Sequence, residues 1–207
     1  MMESLSGRFD PRLRGQGHIF ISGTGRAGTT FLVQLFTELG YDTGTWSDAD
    51  YFPHARAGLE RDVFGADLPA IVKTPFLCDY VDQALFSGIQ IDHVIIPVRR
   101  MVDAAASRAH VQLETTGTKD GKSVNGGLWG TEIAEEQADV LSRKFANLVE
   151  ALVRHDISIT MVSFPRSATD AAYLFRKLSP IIPSISVDVF TTAFNNTAKP
   201  AMIHKFS

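Results

Sequence analysis

The stretch Gly23-Thr24-Gly25-Arg26-Ala27-Gly28-Thr29-Thr30-Phe31 carries the residue types that grip a phosphate. An apolar run, Ile19-Phe20-Ile21, precedes it, and Phe31, Leu32, Leu35, Phe36 and Leu39 follow at helical spacing. A strand, a glycine turn and a helix start in that order form an anion site. The first helical turn has unpaired N–H groups at the positive end of the dipole, and glycines let the backbone approach an oxygen closely. Two nucleotide patterns overlap here. Gly23 and Gly28 have the spacing of the ATP/GTP loop, but Thr29 stands where that loop needs a lysine. Gly23, Gly25 and Gly28 also satisfy G-x-G-x-x-G literally. Asp48 and Asp50 then lie where a ribose-binding carboxylate would fall, yet the Gly- and Thr-rich residues before them are no apolar strand.

A second cluster follows another apolar run. Val94-Ile95-Ile96-Pro97-Val98 leads into Arg99, and Ser107 stands eight residues further on. An arginine at the carboxyl end of a strand and a hydroxyl two helical turns later share one face of the fold. The two clusters together resemble the sulfotransferases that use 3′-phosphoadenosine 5′-phosphosulfate (PAPS). Arg26-Ala27-Gly28-Thr29-Thr30-Phe31 is similar to their 5′-phosphosulfate loop, and Arg99-Arg100-Met101-Val102-Asp103 with Ser107 to their 3′-phosphate motif. Met101 departs from the family's usual proline.

The resemblance implies a P-loop NTPase-like sulfotransferase architecture and transfer of a sulfuryl group from PAPS to a hydroxyl or amine of a small-molecule or carbohydrate acceptor. It implies PAP as product and no metal. Gly25, Arg26, Ala27, Gly28, Thr29, Thr30 and Phe31 would then hold the 5′ end of the nucleotide, and Arg99 and Ser107 the 3′ end. Arg26 would stabilise charge growing on the departing phosphate oxygen. Lys73-Thr74 matches a catalytic Lys-Thr-His of the family's cytosolic members, but Pro75 replaces the histidine base. In many carbohydrate-specific members a carboxylate after the first helix is the base; Asp48, ahead of Tyr51-Phe52, has that register, although a solvated loop carboxylate reads the same way. His54, Glu60, His110 and Glu114 remain open for this role. Phe31 either stacks on adenine or packs in the core. His18 and His93, at strand starts, read as structural, and His155 as a residue suited to a helix end.

The elements that must position these residues alternate along the chain. Strands are expected at 18–22, 70–73, 93–98 and 157–162, and helices at 29–39, 102–113, 131–155 and 167–178. Apolar strands separated by helices define an α/β fold, one parallel sheet flanked by helices on both faces. Residues 41–65 and 115–130 read as irregular. The second carries Asn125-Gly126-Gly127-Leu128-Trp129-Gly130, which favours a lid with an aromatic anchor over plain disorder. Gly117 to Ser123 imitates an ATP loop but is a residue short and follows a helix. Residues 1–16 are expected to be a flexible leader to a single domain over 17–207, a length suited to one core. A net charge of −3 argues against nucleic-acid and anionic-membrane partners. One cysteine, Cys78, excludes a disulfide framework and a thiolate metal cluster, and reads as a core thiol. No apolar run is long enough to span a bilayer, and the leader has no signal core, so a cytoplasmic protein without membrane association is expected.

Overall fold

The computed structural model describes residues 17–47, 51–52, 57–65 and 67–199. Four strands form one parallel sheet: β1 (His18–Ile21), β4 (Ile71–Lys73), β5 (Ile91–Val98) and β6 (Ser158–Ser163), in the order β4-β1-β5-β6. A two-stranded antiparallel ladder, β2 (Tyr51–Phe52) and β3 (Ala57–Gly58), lies within 41–65, a stretch expected to be irregular throughout. The helices are α1 (Thr29–Glu38), α2 (Val81–Phe86), α3 (Met101–Thr116), α4 (Gln137–Arg154), α5 (Ala171–Leu178) and α6 (Val187–Thr197).

Side chains of a strand alternate between faces, so a sheet covered on both sides buries both sets on β1, β4 and most of β5, whereas β6 is buried only at Val162. Ile19, Ile21, Ile71, Ile95 and Val162 pack on one face against Leu32, Leu35 and Phe36 of α1, Leu174 of α5 and Phe190 of α6. Phe20, Val72, Val94 and Ile96 pack on the other against Leu148, Ala151 and Leu152 of α4 and Val81 and Ala84 of α2. The chain is thus α/β, with helices on both faces of the sheet.

Two helix starts differ from expectation for local reasons. The helix expected from 131 begins at Gln137, after a 3-10 turn at Ala134–Glu136. The helix expected from 167 is divided: Arg166–Ala168 is a 3-10 turn, and Asp170 caps α5 by accepting the Tyr173 N–H at 2.8 Å. Two helices lay outside the expected pattern. The six residues of α2 are too few to show a period. The other, α6, buries Phe190, Ala193 and Phe194 at helical spacing and is capped by Ser186, whose side chain accepts the Val189 N–H at 3.3 Å. Among the described residues no helix is long and apolar enough to cross a membrane.

Because all four strands are parallel, their carboxyl ends lie along one edge of the sheet. From β1 the chain moves outward on one side to β4, then crosses to β5 on the other. Ligands of such sheets bind where the direction reverses, in the crevice between the loops that leave those strands. Here those loops are the glycine turn after β1 and Arg99 after β5.

Candidate functional site

The glycine turn binds its own strand edge before it meets any ligand. Ser22 N–H donates to Ile95 O at 3.1 Å and Thr74 N–H to Ile21 O at 3.1 Å, which ties the exits of β1, β4 and β5 together. The turn then runs through left-handed backbone: Gly25 has φ 69°, Arg26 φ 55° and Gly28 φ 84°. A Cβ on Gly25 would lie 2.6 Å from Arg108 Nη2, and one on Gly28 2.9 Å from Phe164 Cδ2, so both positions need glycine for space as well as for conformation. Arg26 holds the same region without being glycine, a conformation that costs on the order of 1–3 kcal/mol and gathers at functional sites. Gly28 is the N-cap of α1 and supplies no side-chain cap to the first turn.

Four buried or half-buried cations meet this turn. Arg99 is 8% exposed; its Nη1 donates to Arg26 O at 3.1 Å, and its guanidinium lies 5.3 Å from the centre of the Phe164 ring. Burial lowers its pKa from the ordinary arginine value, with Asp103 opposing. Arg26 Nε donates to Ser107 Oγ at 3.0 Å, so the two sequence clusters, 81 residues apart, touch directly. Lys73 ends β4 and is 2% exposed. Its Nζ donates to Glu60 Oε1 at 2.8 Å, to Thr30 Oγ1 at 3.1 Å and to Gly58 O. Burial holds its pKa below the ordinary 10.5, Glu60 pulls it up, and Arg26 adds to the depression. Arg108, one residue beyond Ser107 on α3, is also buried. Burial, followed by the nearby Arg26 charge, brings its pKa down to about 9, so it remains charged at neutral pH.

These groups line one cleft of about 330 Å³ along the carboxyl edge of the sheet. Glu60 is the one carboxylate among its described lining residues, against Arg26, Lys73, Arg99, Arg108 and Lys199. A chain of net charge −3 therefore concentrates positive charge in one cleft, which focuses an anion there. Aromatic walls stand at both ends. Phe164 follows β6 beside Arg99. Phe76 follows Lys73 on the turn begun by Pro75, its ring edge-on to Trp129 at 5.5 Å. Thr74 Oγ1 caps that turn by accepting the Phe76 N–H at 3.3 Å. Pro75 is buried, which suits the first position of a turn and leaves no base there.

The residues expected from sequence are brought together with few exceptions. Gly25, Arg26, Gly28, Thr29, Thr30, Phe31, Lys73, Arg99 and Ser107 all line the cleft, and Ala27 is buried within the loop. Phe31 lines the cleft and packs edge-on to Phe194 at 5.6 Å. Asp48, Asp50 and His54 lie outside the described residues. Of the remaining base candidates, Glu60 lies in the cleft, whereas His110 and Glu114 are not among its lining residues. Cys78 is half-buried, with burial and Asp79 raising its thiol to about 12. His93 is buried on β5 and shares a 2.9 Å hydrogen bond with Thr160, consistent with a structural role. Among the described residues no three His, Cys, Asp or Glu side chains gather into a metal-holding group.

Within residues 117–130, Ser123, Asn125, Gly126, Leu128 and Trp129 line the cleft, and the segment is held by side-chain amides. Gln112 Nε2 donates to Lys122 O at 2.7 Å, and Gln112 Oε1 accepts the Leu128 N–H at 3.3 Å. Gln137 Oε1 accepts the Trp129 N–H at 2.6 Å and its Nε2 donates to Trp129 O at 3.1 Å. Both glutamines are fully buried, as is Leu128. Trp129 packs with Ala104, Ala105 and Leu141, which makes it the aromatic anchor anticipated for this segment. Arg108, Phe164, Phe76, Gln34, Thr197 and Lys199 are among the lining residues that sequence reasoning did not single out. Arg108 alone had a usable signal: it lies four residues from Ala104 and from Gln112, on the inward stripe of α3, where a charge is out of place. Compared with models of protein families, with curated proteins and with solved structures, the chain matches none.

Proposed function

We propose that this chain is a PAPS-dependent sulfotransferase of P-loop-like architecture, acting on a hydroxyl or amine of a small-molecule or carbohydrate acceptor. The observation that carries the reading is the meeting of the two motifs at one anion cleft: Arg26 donates to Ser107, and Arg99 donates to Arg26 O. A donor with phosphate groups at two positions needs cations on both sides of a glycine turn, and this chain has them. Two further features support the reading. A side chain at Gly25 or Gly28 would fill the cradle, and the buried Nε of Arg108 has no hydrogen-bond partner among the described residues.

When bound, PAPS supplies a sulfuryl group, whose bond to the phosphate oxygen breaks as the acceptor oxygen or nitrogen bonds to sulfur. In this reading Arg26 and Lys73 stabilise negative charge on the departing phosphate. Such placed cations act without reorganising. Thr29, Thr30 and the loop amides hold the 5′ end; Arg99 and Ser107 hold the 3′ phosphate. Lys73 is kept charged by Glu60, and Thr30 Oγ1 fixes its position. The acceptor's proton passes to a carboxylate. Asp48 has the family register for that role, and Glu60, 2.8 Å from the Lys73 ammonium, is the carboxylate among the described lining residues of the cleft.

The test is turnover: PAP release from PAPS, measured in the presence of a chelator across alcohols, phenols, amines and sugars. Acceptor-dependent PAP release supports the assignment. PAP bound tightly but never released from PAPS on any acceptor would make the chain a nucleotide-binding protein without sulfuryl transfer.

A further inference from the structure

Arg108 differs from the other cations of the cleft in what it holds and in what it lacks. Its Nη1 donates to Gly127 O at 2.7 Å and its Nη2 to Thr24 O at 2.9 Å. Its guanidinium lies 5.2 Å from the centre of the Trp129 ring. One planar group therefore joins the glycine turn to the 117–130 segment. The close approach exists because residue 25 is glycine, since a Cβ there would meet Nη2 at 2.6 Å.

The missing part is an acceptor for Nε, and the opposite charge that acts on Arg108, that of Glu60, is bonded to Lys73 instead. Arg108 is 7% exposed, and its Nε is buried without a hydrogen-bond partner among the described residues. Both of its hydrogen-bond partners are neutral carbonyls, and Glu60, the cleft's described carboxylate, is engaged by Lys73. A buried donor left unmade is costly, and a buried guanidinium without an anion more so. The deficit is relieved when something in the cleft brings an anionic oxygen.

We infer that Arg108 is a ligand-binding residue that also clamps the lid: its guanidinium takes an oxygen of a phosphorylated ligand on the glycine turn while holding Gly127. Ligand and residues 117–130 then bind together. The inference rests on the nucleotide-binding part of the proposed function and adds to it a residue outside both motifs. It requires a phosphorylated ligand but not sulfuryl transfer. Arginine is needed because a fork of donors in one plane reaches two carbonyls and an anion at once, whereas a lysine ammonium is a single point.

The experiment compares the full chain with Arg108→Lys and Arg108→Met. It reads affinity for PAP, ATP and inorganic pyrophosphate by calorimetry, and amide exchange over residues 121–130 with and without ligand. In the wild-type chain the bound phosphorylated probe is expected to slow exchange across 121–130 by tenfold or more. Arg108→Met is expected to lose tenfold or more in affinity. Arg108→Lys should recover part of that affinity and none of the ligand-induced protection, a split that a merely structural role would not produce. Wild-type affinity in Arg108→Met, or wild-type exchange unchanged by ligand, overturns the inference. Should Arg108→Met fail to fold, Arg108→Lys and the wild-type exchange still decide it. ATP binding without PAP binding removes the sulfotransferase reading and leaves Arg108 measurable with ATP; failure of all three probes to bind overturns both.

Discussion

Replacing Glu60 with glutamine isolates the charge that balances Lys73. The lysine ammonium is 2% exposed and the Glu60 side chain 31%, at a separation of 2.8 Å. Exposed pairs contribute about 0.2–1 kcal/mol, and breaking a fully buried pair costs about 3–5 kcal/mol. A pair with one buried and one partly screened end falls between, at about 2 kcal/mol. For a domain of this size that lowers Tm by roughly 4–8 °C. The effect has a defined pH sign. Burial already holds the Lys73 pKa below 10.5, and Glu60 is what raises it; without the carboxylate the folded-state value falls further. The cost of burying the charged form is fully present below the folded values and fades as pH rises through them, because the folded chain then releases the proton. The stability deficit of Glu60→Gln should thus be largest at neutral pH and shrink under alkaline conditions. PAP affinity at pH 7 should hold or rise, since a negative group leaves an anion site. Thermal unfolding from pH 6 to pH 10 and calorimetry at pH 7 read both effects. A deficit equal at all pH values, or a loss of PAP binding with unchanged Tm, would refute the electrostatic reasoning.

Further outcomes follow from the same geometry. Gly28→Ala puts a Cβ into left-handed backbone, 2.9 Å from Phe164, and should cost about 1–3 kcal/mol in thermal unfolding together with weaker PAP binding. Arg26→Ala should slow sulfuryl transfer by about 10²–10³ while PAP still binds through Arg99, Ser107 and the loop amides; unchanged turnover would leave Lys73 as the main charge stabiliser. Asp48→Asn should slow transfer to an unactivated alcohol by about 10²–10⁴, and to an acidic phenol less, with nucleotide affinity unchanged. If His110→Asn or Glu60→Gln shows that acceptor-dependent loss and Asp48→Asn does not, the base is reassigned.

The sheet and the glycine turn that lines the cleft were legible because they are local patterns. Ile19 to Ile21 and Val94 to Val98 read as buried strands, and glycines at fixed offsets mark the turn that α1 continues. That these stretches form one parallel sheet with Arg26 reaching Ser107 follows from strand pairing, which the order of apolar runs suggests. Lys73 was legible for a related reason, a charge at the end of an apolar strand. What was not legible depends on long-range packing. Glu60 reaches Lys73 from across the β3 strand, Phe164 arrives beside Gly28 from the end of β6, and the two buried glutamines that hold residues 117–130 look like ordinary surface amides in sequence. The helix starts expected at 131 and 167 were early because short 3-10 turns, Ala134–Glu136 and Arg166–Ala168, precede α4 and α5.

The central claim is a cleft built for a nucleotide phosphorylated at both its 3′ and 5′ positions. Calorimetric titration of the full chain with PAP, AMP, ATP and NAD, without metal and in the presence of a chelator, tests it most directly. A charge-assisted hydrogen bond is worth about 1.5–3 kcal/mol, so the 3′-phosphate held by Arg99 and Ser107 should make PAP bind tenfold or more tighter than AMP. Equal affinity for PAP and AMP, or a preference for ATP that depends on magnesium, would contradict it.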